Sequence, residues 1–315
     1  MAESIACLSA GKVLLLRQGQ AVEALSSPYQ VRASARAGSR EPAAIVSVAR
    51  GRRHGQLCYA VRVPEGTAVL VQEPTIGDEQ QLFLALAAEI SELDFSFGDE
   101  ALACTVAGPR GTVAIGSLAD DGKGVRTVTE GDVVDRSPRW APGGRGEIVY
   151  ASAGIGRTKS GAWGGLSPFS LNRLRFADNS VEVLLSDARY DYLMPIASSE
   201  SELYAIRRPY RAPTPPLPFS AISAAFRGLF GGRARATEGN PEERELVRST
   251  PQGVNRIARG VEAFDVAANG DVVYATNAGV FRIAERGAAQ PMLMAELMPG
   301  GRVEPSAPLE QLVIF

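Results

Sequence analysis

The sequence predicts an all-β fold, a β-propeller, and three observations predict it. A strand–turn–strand unit recurs along the chain, most clearly at Ser137-Pro138-Arg139-Trp140-Ala141-Pro142-Gly143-Gly144-Arg145-Gly146-Glu147-Ile148-Val149-Tyr150. Most copies are followed by one or two further short β-rich runs between polar, Gly-containing turns, which makes four antiparallel strands per repeat. Most copies are spaced at about 40–45 residues, the period of a propeller blade. One such blade cannot bury both faces, so neighbours must stack until a ring closes.

In chain order the copies fall at 5–15, 45–59, 93–104, 137–150, 192–206 and 264–274. Third strands are expected at 21–25, 68–72, 113–118, 171–176 and 280–283, and fourth strands at 125–129 and 181–185. The count is six blades, and five or seven fit the same pattern. Gln311-Leu312-Val313-Ile314-Phe315 is a final apolar run, expected to pair into the first blade and remove an exposed edge.

The run Ser137-Pro-x-Trp-x-Pro-x-Gly followed by Ile148-Val149-Tyr150 resembles the repeat of the TolB-like (WD40-like) propellers. The Gly-His and Trp-Asp dipeptides of WD40 repeats are absent, and Gly143-Gly144 stands where the family has Asp-Gly. The resemblance implies the fold over most of the chain; a function does not travel with it.

At 315 residues and 45% hydrophobic, the chain can bury a full core as one domain, 1–315. It contains no apolar run of about 18 residues, so no transmembrane helix is expected. The start, Met1-Ala2-Glu3-Ser4-Ile5, has no basic region, and no signal peptide is read there. Cys7, Cys58 and Cys104 fall in predicted strands and are expected reduced and buried, which suits a cytoplasmic protein. Basic residues are almost all Arg, as in a GC-rich bacterial genome, and the net charge of −2 argues against a general nucleic-acid binder.

Residues 31–53 read as a basic connection with Arg32, Arg36, Arg40, Arg50, Arg52 and Arg53, either a solvated loop or a patch for an acid or phosphate. Asp120-Asp121-Gly122 offers too few spaced oxygens for calcium and reads as a hairpin turn. Blade four is interrupted at 153–168, where Gly156-Arg157-Thr158-Lys159-Ser160 lacks the Gly-Lys pair and following helix of a phosphate loop. Trp163, a large ring between small residues on a loop, is a candidate contact.

Blade five carries the larger interruption, 208–260, expected to be an insertion. It opens Pro-rich, then places Phe219, Ile222, Phe226, Leu229 and Phe230, with Arg227, in a short amphipathic helix ended by Gly231. Five apolar side chains at about 1.5–3 kcal/mol each must be covered: by the propeller itself, by a partner protein, or by a membrane surface. Both interruptions join a second to a third strand, so they are expected side by side at one rim.

His54 is the only histidine, and its Arg52-Arg53 flank is a poor setting for a Ser-His-Asp triad. No Cys-x-x-Cys pair supports zinc. Glu3, Glu41, Glu92, Asp135, Asp191 and Glu262 lie near the starts of predicted innermost strands and would ring one channel mouth. There they could meet basic side chains of a partner or a divalent cation. The expected function is a non-enzymatic scaffold that binds another protein through Trp163 and the 219–230 helix, without cofactor, small-molecule substrate or nucleic acid. Two alternatives are a metal-dependent hydrolase or lactonase using those acids, and a sensor for a small ligand or peptide in a channel lined by Phe95, Trp140 and Tyr192.

Overall fold

Short β-rich runs separated by tight turns fold here into antiparallel meanders. The structure, a computed structural model, describes residues 4–17, 23–37, 42–96, 101–119, 124–143, 146–212, 240–284 and 309–315. Strands β1 (Ser4–Ser9), β2 (Lys12–Arg17) and β3 (Glu23–Ala24) precede helix α1 (Pro28–Ala37). A meander follows: β4 (Ala44–Arg50), β5 (Leu57–Val63), β6 (Gly66–Glu73) and β7 (Asp78–Leu86). Next come β8 (Ile90–Phe95), β9 (Ala101–Ala107), β10 (Val113–Ala119) and β11 (Val125–Thr127). β12 (Val133–Trp140) and the long β13 (Glu147–Arg157) lead through β14 (Trp163–Leu166) into β15 (Ser170–Arg175) and β16 (Ser180–Leu185). β17 (Tyr190–Ala197), β18 (Leu203–Pro209), β19 (Glu245–Thr250) and β20 (Gly253–Arg259) form the next meander. β21 (Val261–Val266), β22 (Val272–Thr276) and β23 (Gly279–Ile283) come last, before β24 (Gln311–Ile314).

Each strand–turn–strand copy read in the sequence is an antiparallel hairpin. In the copy at 137–150 the turn is closed by Ala141 N–H donating to the Glu147 carbonyl at 2.9 Å. The first copy turns through Ala10 (φ +49°) and Gly11 (φ +76°), the left-handed pair a two-residue hairpin requires. The terminal run pairs as expected: β24 lies antiparallel against β1 in the sheet β24-β1-β2-β3. The first copy therefore supplies the second and third strands of its sheet, one place further out than the other copies.

The chain forms two compact units, Met1–Ala87 with Gly260–Phe315, and Ala88–Arg259. In the first, Leu8, Val13, Ile45, Leu57, Tyr59, Leu70 and Val313 form a core between the sheet of β24 and the β4–β7 sheet. In the second, the β8–β11 and β12–β16 meanders are joined in one sheet by a parallel bridge, Val113 to Val134. Ile115, Ile148, Tyr150 and Leu174 fill the space between those two meanders, and Val149, Leu171, Tyr192 and Val247 the space before β17–β20.

Two expectations change. Residues 31–53 are not simply a connecting loop, because α1 begins at Pro28. The Ser27 hydroxyl caps it at Gln30 N–H (3.1 Å), the Glu79 carboxylate accepts Tyr29 N–H (2.7 Å), and Tyr29 and Ala33 pack on the core. The segment 208–260 is also not all insertion, because β19 and β20 are the third and fourth strands of their sheet. The turn at 120–122 and the helix expected at 219–230 lie outside the described residues.

Candidate functional site

In the second unit the first interruption of the repeat forms a hairpin, and the described root of the second is hydrogen-bonded to it. β13 runs on past Ser152, the last of its residues to pair with β15, and residues 155–157 pair instead with β14. The turn between them is closed by Gly161 N–H on the Thr158 carbonyl (2.9 Å) and Ala162 N–H on the Thr158 hydroxyl (3.1 Å). The run 156–160 is thus the tip of a β-hairpin. Arg157 braces it by donating to Asp132 Oδ1 at 2.6 Å, which holds the Asp132 carboxyl below the usual range. Trp163 stands in β14, not on a free loop, and its ring packs half-buried on the core that contains Val149, Phe169 and Tyr192.

The root of the blade-five segment lies directly on this hairpin. Tyr210 Oη donates to the Leu166 carbonyl at 2.6 Å, and Tyr210 N–H to the Arg189 carbonyl at 2.8 Å. Across the root, Arg211 pairs with Glu243 at 2.7 Å and Arg207 with Glu245 at 2.6 Å. The root of the second segment therefore lies beside the hairpin of the first. Phe219, Ile222, Phe226, Arg227, Leu229 and Phe230 lie outside the described residues.

A band of charge runs beside the root. The Arg207 and Arg189 guanidiniums lie 4.8 and 5.5 Å from the centre of the Tyr190 ring. Arg189 pairs with Asp187 at 2.9 Å and pulls that carboxyl down to about 2. Glu245 receives Arg207, Arg256 at 3.0 Å and Arg259 at 3.5 Å. Partial burial works against the Glu245 charge, but Arg207 and Arg256 hold its carboxyl below the usual range. The sequence shows ten Arg against four Glu over 207–260, but not that Arg207, Arg256 and Arg259 converge on Glu245.

The acids expected at a channel mouth are bonded within the fold. Glu92 accepts Arg136 Nη2 (2.8 Å) and Ser137 N–H (2.8 Å), and Asp191 accepts Arg208 (3.0 Å) and Phe169 N–H (3.0 Å). Glu262 accepts Leu309 N–H at 2.9 Å. Asp135 is 2% exposed with no partner on Oδ1, and burial raises its pKa against the opposing hydrogen bonds of Ser152 and Thr129. Glu3 and Glu41 lie outside the described residues. Among the described residues no three His, Cys, Asp or Glu side chains are grouped to hold a metal ion.

The remaining candidates divide plainly. Phe95 and Tyr192 are buried, while Trp140 stacks on Phe176 with centroids 5.7 Å apart. His54 is exposed in the turn between β4 and β5. The three thiols are buried, and burial pushes Cys7 and Cys104 up to about 12.

No family model matches the chain, and no curated protein matches it. Among solved structures it is similar to a chain of the nidogen/laminin complex, with a TM-score of 0.58 at 10% identity over 99% of this chain and 98% of that one. It is also similar to TolB from Acinetobacter baumannii, with a TM-score of 0.54 at 15% identity. That alignment covers 90% of this chain and 60% of the TolB chain, so less than two thirds of that protein is spanned. A prolyl endopeptidase aligns at a TM-score of 0.48 and 9% identity, over 92% of this chain and 42% of that one. The fold resembles that of TolB-like propellers, as the motif at 137–150 implies.

Proposed function

We propose that the chain is a non-enzymatic, six-bladed propeller that binds another protein through the surface where β14 meets the segment inserted between β18 and β19. The observation that carries this reading is the Tyr210–Leu166 bond, which fixes the two departures from the repeat to one another. Trp163 and the apolar side chains of 219–230 are the contacts we propose, because that greasy face is too large to leave in water. One structural neighbour was solved as the nidogen/laminin complex, an assembly of proteins, and a protein partner for this chain accords with that. The reading places the protein in the cytoplasm and requires no cofactor, nucleic acid or small-molecule substrate. The alternative, a metal-dependent hydrolase, gains little support, since Glu92, Asp191 and Glu262 already serve internal donors.

The test is capture from the native cell extract by the tagged full chain and by a form in which residues 213–239 are replaced by a short Gly-Ser linker. A specific protein held by the first and lost by the second is the expected result. Equal capture by both, or none by either, would sink the reading. A rise in melting temperature with millimolar Ca²⁺, Mg²⁺ or Mn²⁺ would favour the hydrolase instead.

A further inference from the structure

We infer that the arginine band at the end of the β17–β20 sheet is a docking site for an acidic segment of a protein partner. This rests on the partner-binding reading and supplies the chemistry that the partner presents. The band is set by strand register: Tyr192 faces Arg207, Arg207 faces Glu245, and Glu245 faces Arg259. Residues directly opposite in an antiparallel sheet share a face, as do residues two apart in one strand, so Tyr192, Arg207, Glu245 and Arg259 form one row across four strands and Tyr190 stands on the same face.

Charge on and beside that row does not balance. Among the described residues, four guanidiniums (Arg189, Arg207, Arg256, Arg259) meet two carboxylates, those of Asp187 and Glu245. The exposure is graded. Glu245 and Arg207 are largely covered at 17% and 21%, whereas Arg256, Arg259 and Arg189 stand out at 46%, 67% and 78%. Glu245 thus holds one edge of Arg256 and of Arg259, Asp187 holds one edge of Arg189, and all three guanidinium side chains stay substantially exposed. Such forks fit an incoming carboxylate bidentately, and the Tyr190 ring backs two of the cations.

The surroundings select the kind of acid. Residues 207–260 carry +6, ten Arg against four Glu, within a chain of net −2, so the remainder carries −8. A long polyanion such as RNA would have to cross a repelling surface, whereas a short run of Asp or Glu meets only the band.

The experiment uses the full-length protein and a fluorescein-labelled oligo-glutamate peptide, read by anisotropy at low and high salt. A single-stranded oligonucleotide of equal charge runs beside it. Binding of the peptide that weakens with salt is expected, together with about a tenfold loss in the double variant Arg256→Gln/Arg259→Gln. Both side chains are exposed, so the variant keeps its melting temperature; Arg189→Gln provides a second, independent loss. Undiminished peptide binding in these variants overturns the inference, and so does an oligonucleotide that binds as tightly as the peptide. If the arginines prove indifferent while capture still requires 213–239, this inference fails and the partner-binding reading stands. If peptide binding depends on the arginines but capture survives removal of 213–239, the reverse holds.

Discussion

Removing the carboxylate of Asp265 tests how the sheets of the first unit are held together. Asp265 is 3% exposed; its Oδ2 accepts Ile314 N–H at 2.9 Å and Arg50 Nη2 at 2.9 Å. Arg50 also donates to the Val266 carbonyl at 2.9 Å. One acid on β21 therefore ties down both the terminal strand β24 and the end of β4. Asp265→Ala strips the buried Ile314 amide of its acceptor, at a cost of about 1–3 kcal/mol. The ion pair adds no more than about 1 kcal/mol, because the Arg50 side chain is 31% exposed. A total near 3 kcal/mol lowers the melting temperature by roughly 6–10 °C for a domain of this size. Asp265→Asn keeps an acceptor for Ile314 and loses only the charge, so it falls by about a third of that. Differential scanning calorimetry and urea unfolding of both variants, with an Arg50→Ala double-mutant cycle, measure the terms separately. A melting temperature for Asp265→Ala within about 2 °C of wild type would refute the idea that this acid is a clamp.

Three further outcomes follow from the same geometry. Tyr210→Phe removes the bond to Leu166 and should cost about 0.5–1.5 kcal/mol in chemical denaturation, with the fold retained; no change would mean that the two inserts are not coupled at their roots. Native protein should leave Cys7 and Cys104 unreactive toward a thiol reagent at pH 8, because burial raises both to about 12, and should react only on unfolding. Asp135 is a buried acid whose folded-state pKa is raised, so its contribution is favourable in acid and is lost as pH rises through that pKa. Asp135→Asn should therefore raise the melting temperature at pH 7, with the gain shrinking toward about pH 4; a gain that is flat with pH rules out burial of the charge as its cause.

The hairpins were legible because each combines a turn residue with β-rich flanks, a purely local signal. Helix α1 was not read, although Ser27-Pro28 is an N-terminal cap followed by a first-turn proline. Its Arg32 and Arg36 gave it the look of a basic linker, and the acid that caps it, Glu79, is 50 residues away from Tyr29. β19 and β20 were hidden in the same way, by Arg248, Arg256 and Arg259 alternating with short apolar residues. Asp94 and Asp265 stood in plain view within two copies of the repeat, yet their task depends on the next sheet. Asp94 takes Trp140 N–H at 2.7 Å and Arg139 at 3.0 Å, as Asp265 takes Ile314 and Arg50. Local pattern specified the strands; what each acid does was set by a neighbour distant in sequence.

The first strands explain how a repeat can drift and still stack. β8, β12 and β17 each slip register once against the following strand, and Glu92, Ser137 and Met194 at the slip have φ of +50°, +52° and +52°. A left-handed residue other than glycine costs about 1–3 kcal/mol, so three occurrences at one place in the repeat need a compensating contact. A bulge frees a backbone N–H and turns it out of its own ladder. In β12 that donor is Ser137 N–H, and it reaches the Glu92 carboxylate on the bulge of the preceding sheet at 2.8 Å, with Arg136 donating to the same carboxylate. In β12 the strain is offset by a bond to the preceding sheet, and the same backbone shape recurs in β8 and β17 with Glu and Met in place of Ser. Only the Ser-Pro copy announces that shape in its residues, which is why the motif stands out once while the geometry occurs three times.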